Sequence, residues 1–204
     1  KGIPSEELCA RDAQLMYRLP VAESYCTTGF DGDVIFYPLM SQYAPGVGGW
    51  GGDAGKDETG RPIILVMGWS IATTPMARFE KQQIGAPRSI ILHEIVHGLG
   101  FSVYNFRDRR DESGRIDSMV EERAVSDDSE PVWFVTSERT LRVARDYFGC
   151  PELDGLPLMG DNQLGTGSRG SHWETRIMND EFMAYGDGSD VSGMTIAMLE
   201  DLGM

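Results

Sequence analysis

The chain has 204 residues, 41% of them hydrophobic and 25% charged, the ordinary balance of a water-soluble protein with one domain or one domain in two lobes. Acidic side chains outnumber basic ones 32 to 18, and the resulting net charge of −14 repels a phosphate backbone, so nucleic acid is not an expected partner. No apolar run approaches the roughly 18 residues of a membrane span and no charged-then-apolar leader is visible, so a transmembrane segment is not expected either.

Taken in order, Pro4 followed by Ser5-Glu6-Glu7 starts a helical pattern that runs to about Tyr17 and is broken at Leu19-Pro20. Asp33–Tyr37 reads as a strand ended by Pro38. The glycine-rich stretch from Pro45 to Gly60 reads as a mobile loop. Pro62–Met67 is the clearest strand, and a proline at its start suits a sheet edge. After Pro87, Ser89–Leu99 reads as an apolar, buried helix ended by Gly98 and Gly100. Residues 105–131 look charged and loop-like. Thr136 or Ser137 caps a second helix with Leu141, Ala144, Tyr147 and Phe148 on one side, and Gly149 stops it. Residues 150–171 are expected to be irregular. Ser192 caps a last helix, Thr195–Leu202, that buries Ile196, Met198 and Leu199. No internal repeat is apparent.

The three cysteines, Cys9, Cys26 and Cys150, do not fit a zinc-ribbon spacing. A Cys9–Cys26 disulfide would leave Cys150 as a free thiol, an intermolecular bond or half of a pair whose partner is missing. Such a bond points to a secreted, cell-surface or lumenal setting, which no Asn-X-Ser/Thr sequon accompanies. Asp127-Asp128 and Asp187–Asp190 do not reach the spacing of a calcium loop and read as solvated turns.

His93-Glu94-Ile95-Val96-His97 is an H-E-x-x-H pattern inside the apolar helix. At 3.6 residues per turn, positions i and i+4 share a face, so both imidazoles can reach one metal ion, and Glu94 can reach a water beside it without being a ligand. A buried histidine pair with neither metal nor proton partner would be costly. A catalytic zinc needs a third protein ligand and an open position. The only other histidine is His172; the rival third ligands are the carboxylates Glu121, Glu122, Glu138 and Glu174.

His93-Glu94-x-x-His97-x-x-Gly100-Phe101 resembles the metzincin signature, in which the glycine turns the chain towards a third histidine three residues on; here that position is Val103. A long insertion before the third histidine marks the leishmanolysin branch. Gly149-Cys150-Pro151, Gly170-Ser171-His172-Trp173-Glu174, Asp180-Glu181-Phe182-Met183-Ala184 and Thr195-x-Ala197-x-Leu199-x-Asp201-x-Gly203 are similar to that family, over roughly residues 88–204. The resemblance implies His93, His97 and His172 as ligands of one catalytic Zn2+, Glu94 as general base, Gly100 as the turn and Met183 as the Met-turn residue below the metal. Met183-Ala184-Tyr185 is similar instead to astacins and serralysins, in which the tyrosine can reach the metal or the transition-state oxyanion; Tyr185 is the candidate oxyanion stabiliser, the alternative being a tyrosine simply packed in a tight turn.

The implied fold is α+β, a metzincin-like zinc peptidase catalytic domain. Residues 1–100 would form an upper lobe, a twisted mixed sheet plus helices ending in the zinc-binding helix. Residues 101–204 would form an irregular lower lobe carrying the third ligand and the Met-turn, with a cleft floored by helix 88–99. The implied activity is zinc-dependent endopeptidase action on a protein or peptide substrate, paired along a sheet edge for which Ile63–Met67 is the candidate. A prosegment or a cysteine-rich C-terminal domain is expected to be missing from this chain. The alternatives are a non-catalytic zinc pseudoprotease or binding domain, which would not need Glu94, and a zinc hydrolase of a non-protein amide.

Overall fold

A computed structural model of the chain describes residues 23–41, 49–70, 85–125, 130–160, 169–185 and 188–204. The helix expected from Pro4 to Tyr17, Cys9 and the Asp127-Asp128 pair lie outside them. The chain divides after Gly100 into two compact units, Lys1–Gly100 and Phe101–Met204. Both mix helices with a small three-stranded sheet.

The first unit runs α1 (Glu23–Thr28), β1 (Ile35–Ser41), β2 (Gly49–Lys56), β3 (Pro62–Ser70) and α2 (Gly85–Gly98). The sheet order is β1-β3-β2, with β1 parallel and β2 antiparallel to β3. Three expectations are corrected here. Residues 62–69 are buried throughout because β3 is the central strand, not an edge, so its run of Ile63, Ile64, Leu65, Val66 and Met67 is apolar on both faces. The glycine-rich 49–56 segment is not a loop but strand β2. In it Trp50 lies opposite Gly68, which leaves the indole room that a Cβ would fill. Finally, β1 continues through Pro38 to Ser41; it pairs only with β3 among the described residues, and an outer strand tolerates the missing proline N–H. Ile35, Ala54, Ile63, Ile64 and Val66 form the core of this unit, flanked by Tyr25, Phe30 and Trp50.

Helix α2 begins at Gly85, earlier than the sequence suggests, and Pro87 falls in its first turn, where N–H groups lack helical partners anyway. It packs on the sheet through Ile90 against Gly49 and through Gly98 against Leu65. Its buried positions are Glu94, His97 and Gly98, whereas Leu92 is 42% exposed, so the apolar residues do not make the helix buried all round.

The second unit runs α3 (Val103–Asp108), β4 (Val120–Arg123), β5 (Val132–Val135), α4 (Glu138–Phe148), β6 (Leu156–Pro157) and α5 (Gly193–Asp201). Residues 105–131 are therefore not all loop: they hold most of α3 and all of β4. The sheet is antiparallel in the order β4-β5-β6. Helix α4 ends at Gly149 in a left-handed C-cap, but its apolar end is not buried: Tyr147 is 72% exposed. Ser192 caps α5 by accepting the Thr195 N–H, and the buried positions are Met194, Thr195, Ala197 and Met198, while Ile196 faces outward.

One short repetition escapes the sequence reading. Asp57-Glu58-Thr59-Gly60-Arg61 and Asp111-Glu112-Ser113-Gly114-Arg115 form the same turn. In each, the aspartate Oδ1 accepts from the hydroxyl and N–H two residues on and from the arginine N–H four residues on. Gly60 and Gly114 supply the positive φ, 87° and 80°. The Ser113 hydroxyl, with the backbone donors, holds the Asp111 carboxyl below its usual range.

Candidate metal centre

In the first unit, α2 sets His93 and His97 one turn apart with their Nε2 atoms 3.0 Å from each other and their rings edge to face. Two imidazole nitrogens on one tetrahedral zinc, each at 2.0–2.1 Å, stand about 3.3 Å apart, so the pair fits such an ion within a few tenths of an ångström. Glu94 lies on the adjacent position of the helix, 8% exposed. Burial pushes its carboxyl up to about 8, opposed by the Gly51 backbone N–H, which donates to it. The approach of β2 to α2 is too close for a side chain: a Cβ on Gly51 would lie 1.9 Å from the Glu94 carbonyl oxygen. Gly100 closes the helix, its N–H donating to the His97 carbonyl at 3.0 Å with φ at 106°.

In the second unit, three pieces of chain run side by side. Leu158 bridges Trp173, and Trp173 bridges Ala184. The Met159 N–H donates to the His172 carbonyl at 2.9 Å, and the Trp173 N–H to the Met183 carbonyl at 3.0 Å. His172 is buried, with its ring edge to face against Tyr185 at a centroid distance of 5.5 Å. Met183 is fully buried in the adjoining turn. The structure thus groups His93, Glu94, His97 and Gly100 in one unit, and His172, Met183 and Tyr185 in the other. Each of the rival carboxylates forms an ion pair: Glu121 with Arg123, Glu122 with Arg169, Glu138 with Arg145 and Glu174 with Arg176.

Two contributors went unnoticed in the sequence. The Gly51 amide carried no sequence signal, because a backbone donor has none. Glu181 did carry one. It stands two residues before Met183, and its buried carboxylate accepts from the Met183 N–H. Cys26 is disulfide-bonded, while Cys150 is free and exposed.

The leishmanolysin profile matches residues 6–204. The chain belongs to the leishmanolysin family. The resemblance read from His93 to Gly203 is thus membership of a metallopeptidase family. A leishmanolysin homolog of Crithidia fasciculata is 29% identical over 196 residues, covering 95% of this chain and 28% of that protein. The leishmanolysin of Leishmania donovani is 36% identical over 115 residues, 56% of this chain and 18% of its own length. A leishmanolysin-like peptidase of Caenorhabditis elegans is 31% identical over 147 residues, 56% of this chain and 22% of that one. The chain therefore spans less than a third of the length of these relatives. Among the described residues, no helix is long and apolar enough to cross a membrane.

Proposed function

We propose that this chain carries the catalytic site of a zinc-dependent endopeptidase with a metzincin-like fold. His93, His97 and His172 hold one Zn2+ and Glu94 is the general base. The observation that carries the reading is the His93–His97 pair with converging nitrogens beside a buried carboxyl, in a member of the leishmanolysin family. Three neutral imidazoles leave the ion its full double charge, and zinc so held supplies the Lewis acidity that activates water near pH 7 and polarises a carbonyl.

The chain's own residues do the rest. Glu94, its ionised form favoured against burial by a dication held on the adjacent histidines, takes a proton from the attacking water and returns it to the departing amine. Gly51 holds that carboxylate from the strand side. Met183 fills the floor behind His172, and Tyr185 donates to the developing oxyanion. An extended protein or peptide substrate pairs along a sheet edge. Because β3 has strands on both sides, Ile63–Met67 cannot serve, and the edge of β2 that no other strand covers among the described residues takes its place. The Cys26 disulfide supports a secreted, lumenal or cell-surface setting.

The test is metal content by mass spectrometry together with casein hydrolysis by the wild-type chain and by Glu94→Ala. We expect one zinc per chain, and hydrolysis abolished by a chelator and by the substitution. Zinc without wild-type hydrolysis would turn the reading to a binding domain. Hydrolysis of small amides but not of casein would turn it to a non-protein substrate. Folded protein that takes up no zinc would overturn it.

A further inference from the structure

We propose that Glu181 is the positioning residue for His172, acting through the turn at Met183 and the start of α5. The inference rests on the proposed ligand role of His172, but its geometry lies wholly in the second unit.

Glu181 is 5% exposed and its carboxylate meets four donors. One oxygen, Oε2, accepts from the Met183 N–H. The other, Oε1, accepts from the Ser192 N–H at 3.1 Å, the Ser192 hydroxyl at 2.8 Å and the Thr195 hydroxyl. Thr195 Oγ1 in turn accepts from the Trp173 indole N–H at 2.9 Å. The direction of this network is forced. An indole N–H and backbone amides can only donate, so Thr195 must pass its own proton on, and the chain has to end in a group that only accepts. An ionised carboxylate is such a group, with about four acceptor sites. A glutamine in its place would bring an N–H against at least one donor.

The frame reaches His172 by two routes. Trp173, the next residue, is held at its indole through Thr195 and at its backbone N–H by the carbonyl of Met183, whose own N–H is on Glu181. Ala184, beyond Met183, bridges Trp173, and Tyr185 after it meets the His172 ring. One carboxylate thus sets both the backbone next to His172 and the turn carrying its ring partner.

The experiment compares the wild-type full chain with Glu181→Gln and with Leu141→Ala, a buried core truncation in α4 whose side chain has no polar group and makes none of these hydrogen bonds. The readouts are the nuclear Overhauser effect between the His172 and Tyr185 rings in metal-free protein, and zinc affinity by competition with a chromophoric chelator. Glu181→Gln is expected to lose the ring contact and to bind zinc about 10–100-fold more weakly, the usual effect of disturbing a ligand's support. Leu141→Ala is expected to lower the melting temperature and leave both readouts unchanged. Should Glu181→Gln fail to fold, Thr195→Val cuts only the Trp173 branch and is expected to weaken zinc binding several-fold. A retained ring contact with zinc affinity within twofold of wild type would overturn the proposal, as would equal losses in Leu141→Ala. Loss of the ring contact in a chain that binds no zinc even as wild type supports the positioning role and overturns the ligand role of His172 instead.

Discussion

Gly100 stands at φ 106°, a backbone region where a side chain is strained, and its N–H closes the end of the helix on His97. Gly100→Ala is therefore expected to cost roughly 1–3 kcal/mol. For a chain of this length that is a fall of about 2–12 °C in melting temperature, measurable by calorimetry. Tyr185 poses a chemical question at the same scale. Its ring packs against His172 and its carbonyl accepts from the Thr175 hydroxyl at 3.3 Å, so the ring stays in place without help from the phenol. Tyr185→Phe then removes one donor and little else. If the phenol meets the oxyanion, kcat falls by about 10²–10³-fold, as for loss of one oxyanion donor, with KM and zinc content unchanged. Unchanged turnover would make Tyr185 a packing residue alone.

At the scale of elements, the contact of β2 with α2 carries the strongest steric demand. Any Cβ on Gly51 meets the Glu94 backbone, so Gly51→Val must push strand and helix apart. Overpacking of this kind costs about 1–3 kcal/mol, and here it also moves the amide that holds Glu94. Gly51→Val is expected to lower both the denaturant midpoint and the rate of casein hydrolysis. Gly60→Val supplies the control: nothing lies within 4 Å of its Cβ and its φ is positive, so strain lowers stability while the hydrolysis rate stays unchanged. The same elements explain what was legible beforehand. His93, Glu94 and His97 were readable because helical spacing is local, and β3 because a strand buried on both faces is apolar without interruption. β2 was not, since Gly49, Gly51, Gly52 and Gly55 erase the alternation that marks a strand. Whether β3 was edge or centre could not be read either, because pairing is a long-range property. Tyr147 and Ile196 misled for the same reason: an apolar face on α4 or α5 shows where a core could be, not where the partner helix stops covering it.

At the scale of the whole molecule, the proposed ligand set draws two histidines from Lys1–Gly100 and one from Phe101–Met204. A ligand that binds only folded protein stabilises it by about 2.7 kcal/mol when present at 100 times its dissociation constant. Removing zinc should then lower the melting temperature by roughly 5–11 °C in a chain of this size. The shape of the transition is the more telling quantity. An ion ligated by both units couples their unfolding, because neither can lose its histidines without giving up the binding energy that stabilises the other. Fluorine NMR of the chain labelled with fluorotryptophan reports the first unit at Trp50 and Trp69, and the second at Trp133 and Trp173, with no tryptophan removed. In the zinc-loaded chain the two pairs of resonances should melt together, and after chelation should melt apart. His172→Ala should separate the two transitions even with zinc in excess, whereas Glu94→Gln, which removes the base but no ligand, should keep them together. Coincident melting of both pairs in His172→Ala would mean that the units are coupled without the third histidine, and the ligand assignment would have to pass to another side chain.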